Sequence, residues 1–195
     1  MVDLFGGRYR IPSARCPNWN YNSNGAYFIT ICTDKRIHFF GSIKNKVLKL
    51  SEAGKIAERV WAEIPLHFPF IRLDAFVVMP NHVHGILIIH ADDQQVGKIQ
   101  VTDNTNQNPP EELSNDGNRP EFMSKISPKT GSVGSAIRSY KSACSNQINK
   151  INPGLNFKWQ ARFHDHIIRD DQSFCRIRQY IINNPAKWND DIFHR

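Results

Sequence analysis

The pattern of apolar and polar positions divides the chain into short alternating or apolar stretches and three amphipathic ones. Ala26-Tyr27-Phe28-Ile29-Thr30-Ile31-Cys32-Thr33 is rich in β-branched and aromatic residues and predicts a first strand. Ala53, Ile56, Ala57, Val60, Trp61 and Ile64 then fall on one face of a helix, with Ser51 placed to cap it and Pro65 to close it. Arg72 to Met79 reads as a second strand, Pro80-Asn81 as a tight turn, and His82 to His90 as an antiparallel partner. A helix is predicted from Ser132 to about Lys150, broken by Asn152-Pro153-Gly154. The end of the stretch from Phe157 to Arg169 supplies a fourth strand, and Asp170 or Asp171 caps a last helix through Phe174, Ile177, Tyr180 and Ile181. That helix ends at Asn183-Asn184-Pro185, because the residue before a proline is pushed out of the helical region. Strand, helix, strand, strand, helix, strand is the order of a split βαβ, or ferredoxin-like, α+β fold: a central antiparallel sheet with helices packed on it, plus a C-terminal helix.

Two segments fall outside this pattern. Residues 1–25 mix Arg, Pro, Asn and Gly without periodicity and read as an irregular arm. Residues 91–131 are about forty polar positions that bury too little apolar surface to offset their ordering entropy, so they read as a flexible insertion. The remainder, 26–190, reads as one domain, and 195 residues suffice for one sizeable core.

Charge sharpens the picture. The chain carries a formal +7, but residues 92–131 hold seven acids and four bases, so that segment is −3 and the rest is +10. Such a balance suits an anionic partner. No run of about 18 apolar residues and no charged-then-apolar leader is present, so a soluble, cytoplasmic protein with no membrane partner is the expectation. The four cysteines, Cys16, Cys32, Cys144 and Cys175, lie far apart with no C-x-x-C pair, which fits reduced thiols rather than a zinc ribbon or disulfide framework.

The chemistry-bearing feature is His82-Val83-His84. Side chains two apart on a strand share a face, so both imidazoles can be offered to one metal ion, while a histidine pair half buried by chance is the plainer alternative. Tyr140 lies on a helical stripe with Ile137, Cys144, Ile148 and Ile151, and periodicity alone favours a core role for it. Arg138 and Lys141 flank it. Trp159, Arg162, Arg169, Arg176 and Arg178 combine aromatic faces with positive charge, as single-stranded nucleic-acid binding requires.

An apolar strand running into Met79-Pro80-Asn81-His82-Val83-His84-Gly85, a helix with Ser139-Tyr140-Lys141-Ser142, Trp159-Gln160, Asp165-His166-Ile167-Ile168-Arg169 and Tyr180-Ile181-Ile182-Asn183-Asn184-Pro185-Ala186-Lys187-Trp188 together resemble the IS200-like Y1 transposases. Within them the likeness is to the REP-associated tyrosine transposases, and it runs from about Ala26 to Trp188 without the insertion. The resemblance implies a ferredoxin-like nuclease domain of the HUH type. It would cut and rejoin single-stranded or hairpin DNA, at REP-like sequences, through a 5′-phosphotyrosine and a divalent metal, Mg²⁺ or Mn²⁺. It places the nucleophile at Tyr140, with Tyr180 as the fallback, and the metal on His82 and His84. Related enzymes commonly carry Gln or Asn four residues after the tyrosine, whereas four residues after Tyr140 stands Cys144, a poor ligand for Mg²⁺. Gln147 is the substitute third ligand, with Asn146 or water behind it. Asp165 and His166 are expected to support the site or the DNA backbone rather than to form a second metal centre with His164, and Arg138, Lys141, Trp159, Arg162 and Arg169 to contact DNA. The departure at Cys144 motivates a second reading, a hairpin-binding protein that keeps the fold and has lost cleavage. A homodimer exchanging tyrosine helices and a self-contained monomer both fit the insertion's length.

Overall fold

The computed structural model describes residues 24–90, 132–191 and 193–194, so most of the N-terminal arm and the whole 91–131 insertion lie outside the described residues. Four strands form one antiparallel sheet: β1 (Gly25–Cys32), β4 (Ile71–Met79), β5 (His82–Ile89) and β6 (His164–Ile168), in the order β4-β5-β1-β6. With β1 and β5 central, this is the ferredoxin-like order expected from the sequence. Between β1 and the first helix lies a feature the apolar pattern did not announce, a separate hairpin of β2 (Gly41–Lys44) and β3 (Val47–Leu50). Its strands are four residues each, and its turn, Asn45-Lys46, lacks the glycine that marks such turns.

Helix α1 (Glu52–Ala62) begins at Ser51, whose Oγ accepts from Gly54 N at 3.1 Å and donates to the Phe39 carbonyl at 2.7 Å. Pro65 does not close this helix. The chain turns at Glu63 and Pro65 opens a second short helix, α2 (Ile64–His67), where its missing N–H costs nothing. The long helix α3 (Val133–Ile151) starts with a reciprocal capping box between Ser132 and Ser135. The last, α4 (Asp171–Asn183), is capped by Asp170, whose carboxylate accepts from Ser173 N at 2.7 Å. No helix among the described residues is long and apolar enough to cross a membrane.

The alternation along β1 and β5 sorts everything that follows. Odd positions, Tyr27, Ile29, Ile31, Val83, Leu87 and Ile89, face α1 and α3 in the main core, where each buried large side chain contributes about 2 kcal/mol. Gly85 belongs to this face too. A Cβ there would run into the Trp61 ring, so glycine admits α1 against the sheet. Even positions, Phe28, Ile86 and Ile88, turn to the other face and pack with Ile177 and Ile181 of α4. His82 and His84 lie on this second face.

Candidate metal and nucleophile site

The Pro80-Asn81 turn delivers β5 to the site and also orients its first histidine. Asn81 is fully buried; its Nδ2 donates to the carbonyls of Arg36 at 3.2 Å and Phe193 at 2.8 Å. Its amide oxygen is thereby left to accept from His82 Nδ1 at 2.8 Å, which puts the imidazole proton on Nδ1 and the lone pair on Nε2. That Nε2 is buried with no hydrogen-bond partner. On the neighbouring strand, Thr30 stands opposite His84 in register and its hydroxyl meets His84 Nδ1 at 2.8 Å. On its other side, His84 Nε2 lies 3.2 Å from the Tyr180 hydroxyl. The two imidazole rings lie 4.4 Å apart, centroid to centroid.

The other groups come from the chain after β6. Asn184 is buried, gives its Nδ2 to Asp191 Oδ2 at 2.7 Å, and keeps its Oδ1 buried without a partner. One ligand atom each of His82, His84 and Asp191 lie within 4.8 Å of one another. Two imidazole nitrogens, a carboxylate and an amide oxygen make a mixed N/O set suited to a hard or borderline divalent ion. The orphaned His82 Nε2 and Asn184 Oδ1 are the two atoms that such an ion would satisfy. Phe193 closes the site, its ring 4.8 Å from His82 and 5.6 Å from His84, with the Arg36 guanidinium over the ring at 5.0 Å.

Burial dominates the electrostatics. It lowers the pKa of His82 to about 3, with the positive charges of Arg36 and His38 adding to the effect. Burial, then the neighbouring His82, holds His84 well below its ordinary value. Both rings are neutral at physiological pH, the form that binds metal. The Tyr180 phenol is pushed up to about 12, by burial first and then by the Asp191 carboxylate, while its hydrogen bond with Asn184 opposes the rise.

The structure brings His82 and His84 together and does not bring Tyr140 or Gln147 to them. Tyr140 projects from α3 into the opposite face, 2% exposed, donating to the Ala57 carbonyl at 3.2 Å and set edge-on to Trp61. Burial raises its phenol well above the ordinary value, and Cys144, its fully buried neighbour one turn on, is pushed up to about 12 in the same way. Gln147 accepts from Arg59 Nη2 at 2.5 Å, pinned between α3 and α1. Trp159 packs against Phe40 and Tyr140, and Lys141 Nζ donates to the carbonyls of Gln160 and Arg162. Arg138 lines an open groove on α3 with Ser135, Ser139 and Ser142, while Arg162 and Arg169 are exposed around β6. Asp165 turns toward the main core with both carboxylate oxygens unpartnered, whereas His166, opposite Phe28, shares the face of His84.

Sequence reading missed Thr30, Asn81, Asn184, Asp191 and Phe193. For Asn184 a signal existed: it stands four residues after Tyr180, the spacing that Tyr140 and Cys144 fail to satisfy.

No model of a known protein family matches the chain. It is 36% identical over 179 residues to an uncharacterised protein of Haemophilus influenzae, spanning 92% of this chain and 90% of that one. Among solved structures it is similar to that of the REP-associated tyrosine transposase bound to a REP hairpin, with a TM-score of 0.51 and 17% identity over 89% of this chain and 74% of the other. At that identity the likeness is one of fold. The chain belongs to one family with the Haemophilus influenzae protein, and its fold is that of the REP-associated tyrosine transposase.

Proposed function

We propose that this protein cuts and rejoins single-stranded DNA beside hairpins, with Tyr180 as nucleophile and a divalent metal held by His82 and His84, Asn184 and Asp191 lying beside them. The observation that carries this reading is a partly exposed tyrosine, 40% accessible, whose hydroxyl touches a buried, neutral histidine pair. A nucleophile needs both access and a charged phosphate positioned beside it. Tyr180 has the access and stands beside the histidines that would position the phosphate.

A divalent ion bound there would supply Lewis-acid polarisation of the phosphate and neutralise charge gathering on its oxygens. The side chains do the rest. The Tyr180 oxygen attacks phosphorus and forms the phosphotyrosine bond as the bond from phosphorus to the 3′ oxygen breaks. Asp191, hydrogen-bonded to Tyr180, accepts the phenolic proton and returns it to the departing 3′ oxygen. Because one phosphodiester replaces another, a 3′ hydroxyl can reverse the step and release tyrosine without ATP. The solved transposase of this fold is bound to a REP hairpin, which favours a hairpin-bearing strand as substrate here.

Incubating the protein with hairpin-bearing oligonucleotides and Mn²⁺ or Mg²⁺ should give a denaturation-resistant protein–DNA band that His82→Ala and His84→Ala both eliminate. Tight binding without any band would instead establish a DNA-binding protein that keeps the fold and lacks cleavage.

The Phe193 cover carries its own consequence. With the ring beside both imidazoles and its carbonyl tied to Asn81, His82 is fully buried, and a phosphate reaching the pair has to displace Phe193. Phe193→Ala should raise the initial rate of adduct formation by about tenfold, corresponding to about 1.4 kcal/mol less to displace. An unchanged or lower rate would mean that the ring supports the site rather than restrains it.

A further inference from the structure

The β2–β3 hairpin has no part in the site, yet its sequence, Gly41-Ser42-Ile43-Lys44-Asn45-Lys46-Val47-Leu48-Lys49-Leu50, holds three lysines and no acid. Ile43, Leu48 and Leu50 turn inward, while Lys44, Lys46 and Lys49 are exposed. Lys44 stands opposite Val47 and Ser42 opposite Lys49, so Lys44 and Lys49 share the outer face as diagonal neighbours, roughly 7–8 Å apart, with Lys46 at the tip. None of the three makes an ion pair with any described residue; the nearest acid in sequence, Glu52, is engaged with Lys55 at 2.7 Å.

Backbone conformation gives a second observation, independent of charge. The two turn residues, Asn45 and Lys46, have φ of 50° and 65°, and Lys35 and Arg36 in the preceding loop have φ of 50° and 56°. Asparagine and glycine accept the left-handed region readily, but a lysine or arginine there is strained. Arg36 has local compensation, its carbonyl bound by Asn81 and its guanidinium laid on Phe193. Lys46 and Lys35 are exposed and have no hydrogen bond or ion pair with a described residue. The two-residue turn between Lys44 and Val47 requires these left-handed values, so Lys46 is a strained choice that no hydrogen bond or ion pair with a described residue offsets.

The hairpin is also fastened to the histidine end of the sheet. Phe40 N donates to the Pro80 carbonyl and Ser51 N to the Phe40 carbonyl, both at 2.9 Å, while β3 packs against the segment that carries Asn184 and Trp188. The hairpin therefore lies at the end of the fold that carries His82 and Asn184.

From this we infer that the β2–β3 hairpin is a phosphate track, on which Lys44, Lys46 and Lys49 hold the DNA strand flanking the cleavage point. The inference rests on the functional reading above and adds the surface that grips its substrate. Salt-dependent phosphate contacts of this kind raise affinity without selecting sequence.

The test measures binding of a labelled hairpin oligonucleotide with single-stranded flanks by fluorescence anisotropy, across a salt series, for wild type, Lys46→Gly and Lys44→Gln/Lys49→Gln. Lys46→Gly should raise the thermal midpoint by relieving the left-handed strain and yet weaken binding several-fold. The slope of log affinity against log salt should become shallower by about one for each lysine removed. A gain in stability together with a loss in affinity is something a merely structural residue does not produce. Wild type that binds no oligonucleotide overturns the functional reading and this inference with it. Wild type that binds and forms the adduct, alongside lysine variants of unchanged affinity and slope, overturns the phosphate track alone. Variants that keep DNA affinity but lose retention on anionic vesicles overturn it in favour of a membrane surface.

Discussion

Tyr180→Phe is expected to abolish the covalent DNA adduct, slowing its formation by at least about three orders of magnitude, while Tyr140→Phe leaves it within about twofold of wild type. The contrast follows from the sheet. Successive residues of β5 face opposite layers, so a strand that shows His82 and His84 to α4 shows Val83 and Leu87 to α3, and the two tyrosines are separated by the sheet itself. Removing the Tyr180 hydroxyl loses its hydrogen bond to His84 and keeps a ring of nearly the same shape against Phe28, 6.1 Å away and edge-on. The variant should therefore fold and bind DNA normally. Tyr140→Phe gives up a bond to the Ala57 carbonyl in the core, about 1 kcal/mol of stability, with no reactive group affected. A band that persists in Tyr180→Phe and vanishes in Tyr140→Phe, with both proteins folded, would show that the nucleophile sits on α3 and that the sheet rearranges on binding DNA.

The four-stranded sheet, its order and the three longer helices were legible because each rests on local signals. The caps Ser51, Ser132 and Asp170 stand before clean apolar stripes, and Pro80-Asn81 separates two apolar strands. The histidine pair was legible for the same reason, since a spacing of two fixes a shared face once the strand is known. What the sequence hid depends on the third dimension. Thr30 and Asn81 matter only through their partners, one across a strand register and one across a turn. Asp191 and Phe193 belong to a segment past the last regular helix, where no periodicity says that the chain folds back over β5. Tyr180, the nucleophile proposed above, ranked second in the sequence for a subtler reason. It shares the stripe of Ile177 and Ile181 and so reads as packing, yet it sits at the stripe's margin, with the hydroxyl inward and the ring still 40% accessible. The hairpin was missed because a lysine occupies the place where turn chemistry expects glycine. That is also why it is informative.

Acidification is expected to weaken the fold well above the pH at which carboxylates titrate. His82 has a folded pKa of about 3 against an ordinary 6.5, so below 6.5 the unfolded chain takes up a proton that the native site refuses. Stability is therefore fully present above pH 6.5 and falls as pH drops toward 3, with a limiting slope of about 1.4 kcal/mol per pH unit for one such group. At pH 5 the loss from His82 alone is about 2 kcal/mol, and His84, shifted in the same direction by burial, steepens it. Asp170, whose carboxyl is held below the usual range mainly by its hydrogen bonds with Ser173, acts with the same sign but only at lower pH. Urea unfolding midpoints at pH 8, 6.5 and 5 would show the decline beginning in the histidine range, and His82→Gln should flatten it. Added Mn²⁺ should stabilise the protein at pH 8 and do progressively less toward pH 5, because protons and metal compete for the same nitrogens. A midpoint that is flat from pH 8 to 5, in wild type without metal, would mean that the histidines are hydrated and able to charge in the folded protein. In that case Phe193 would not be the seal that its contacts make it.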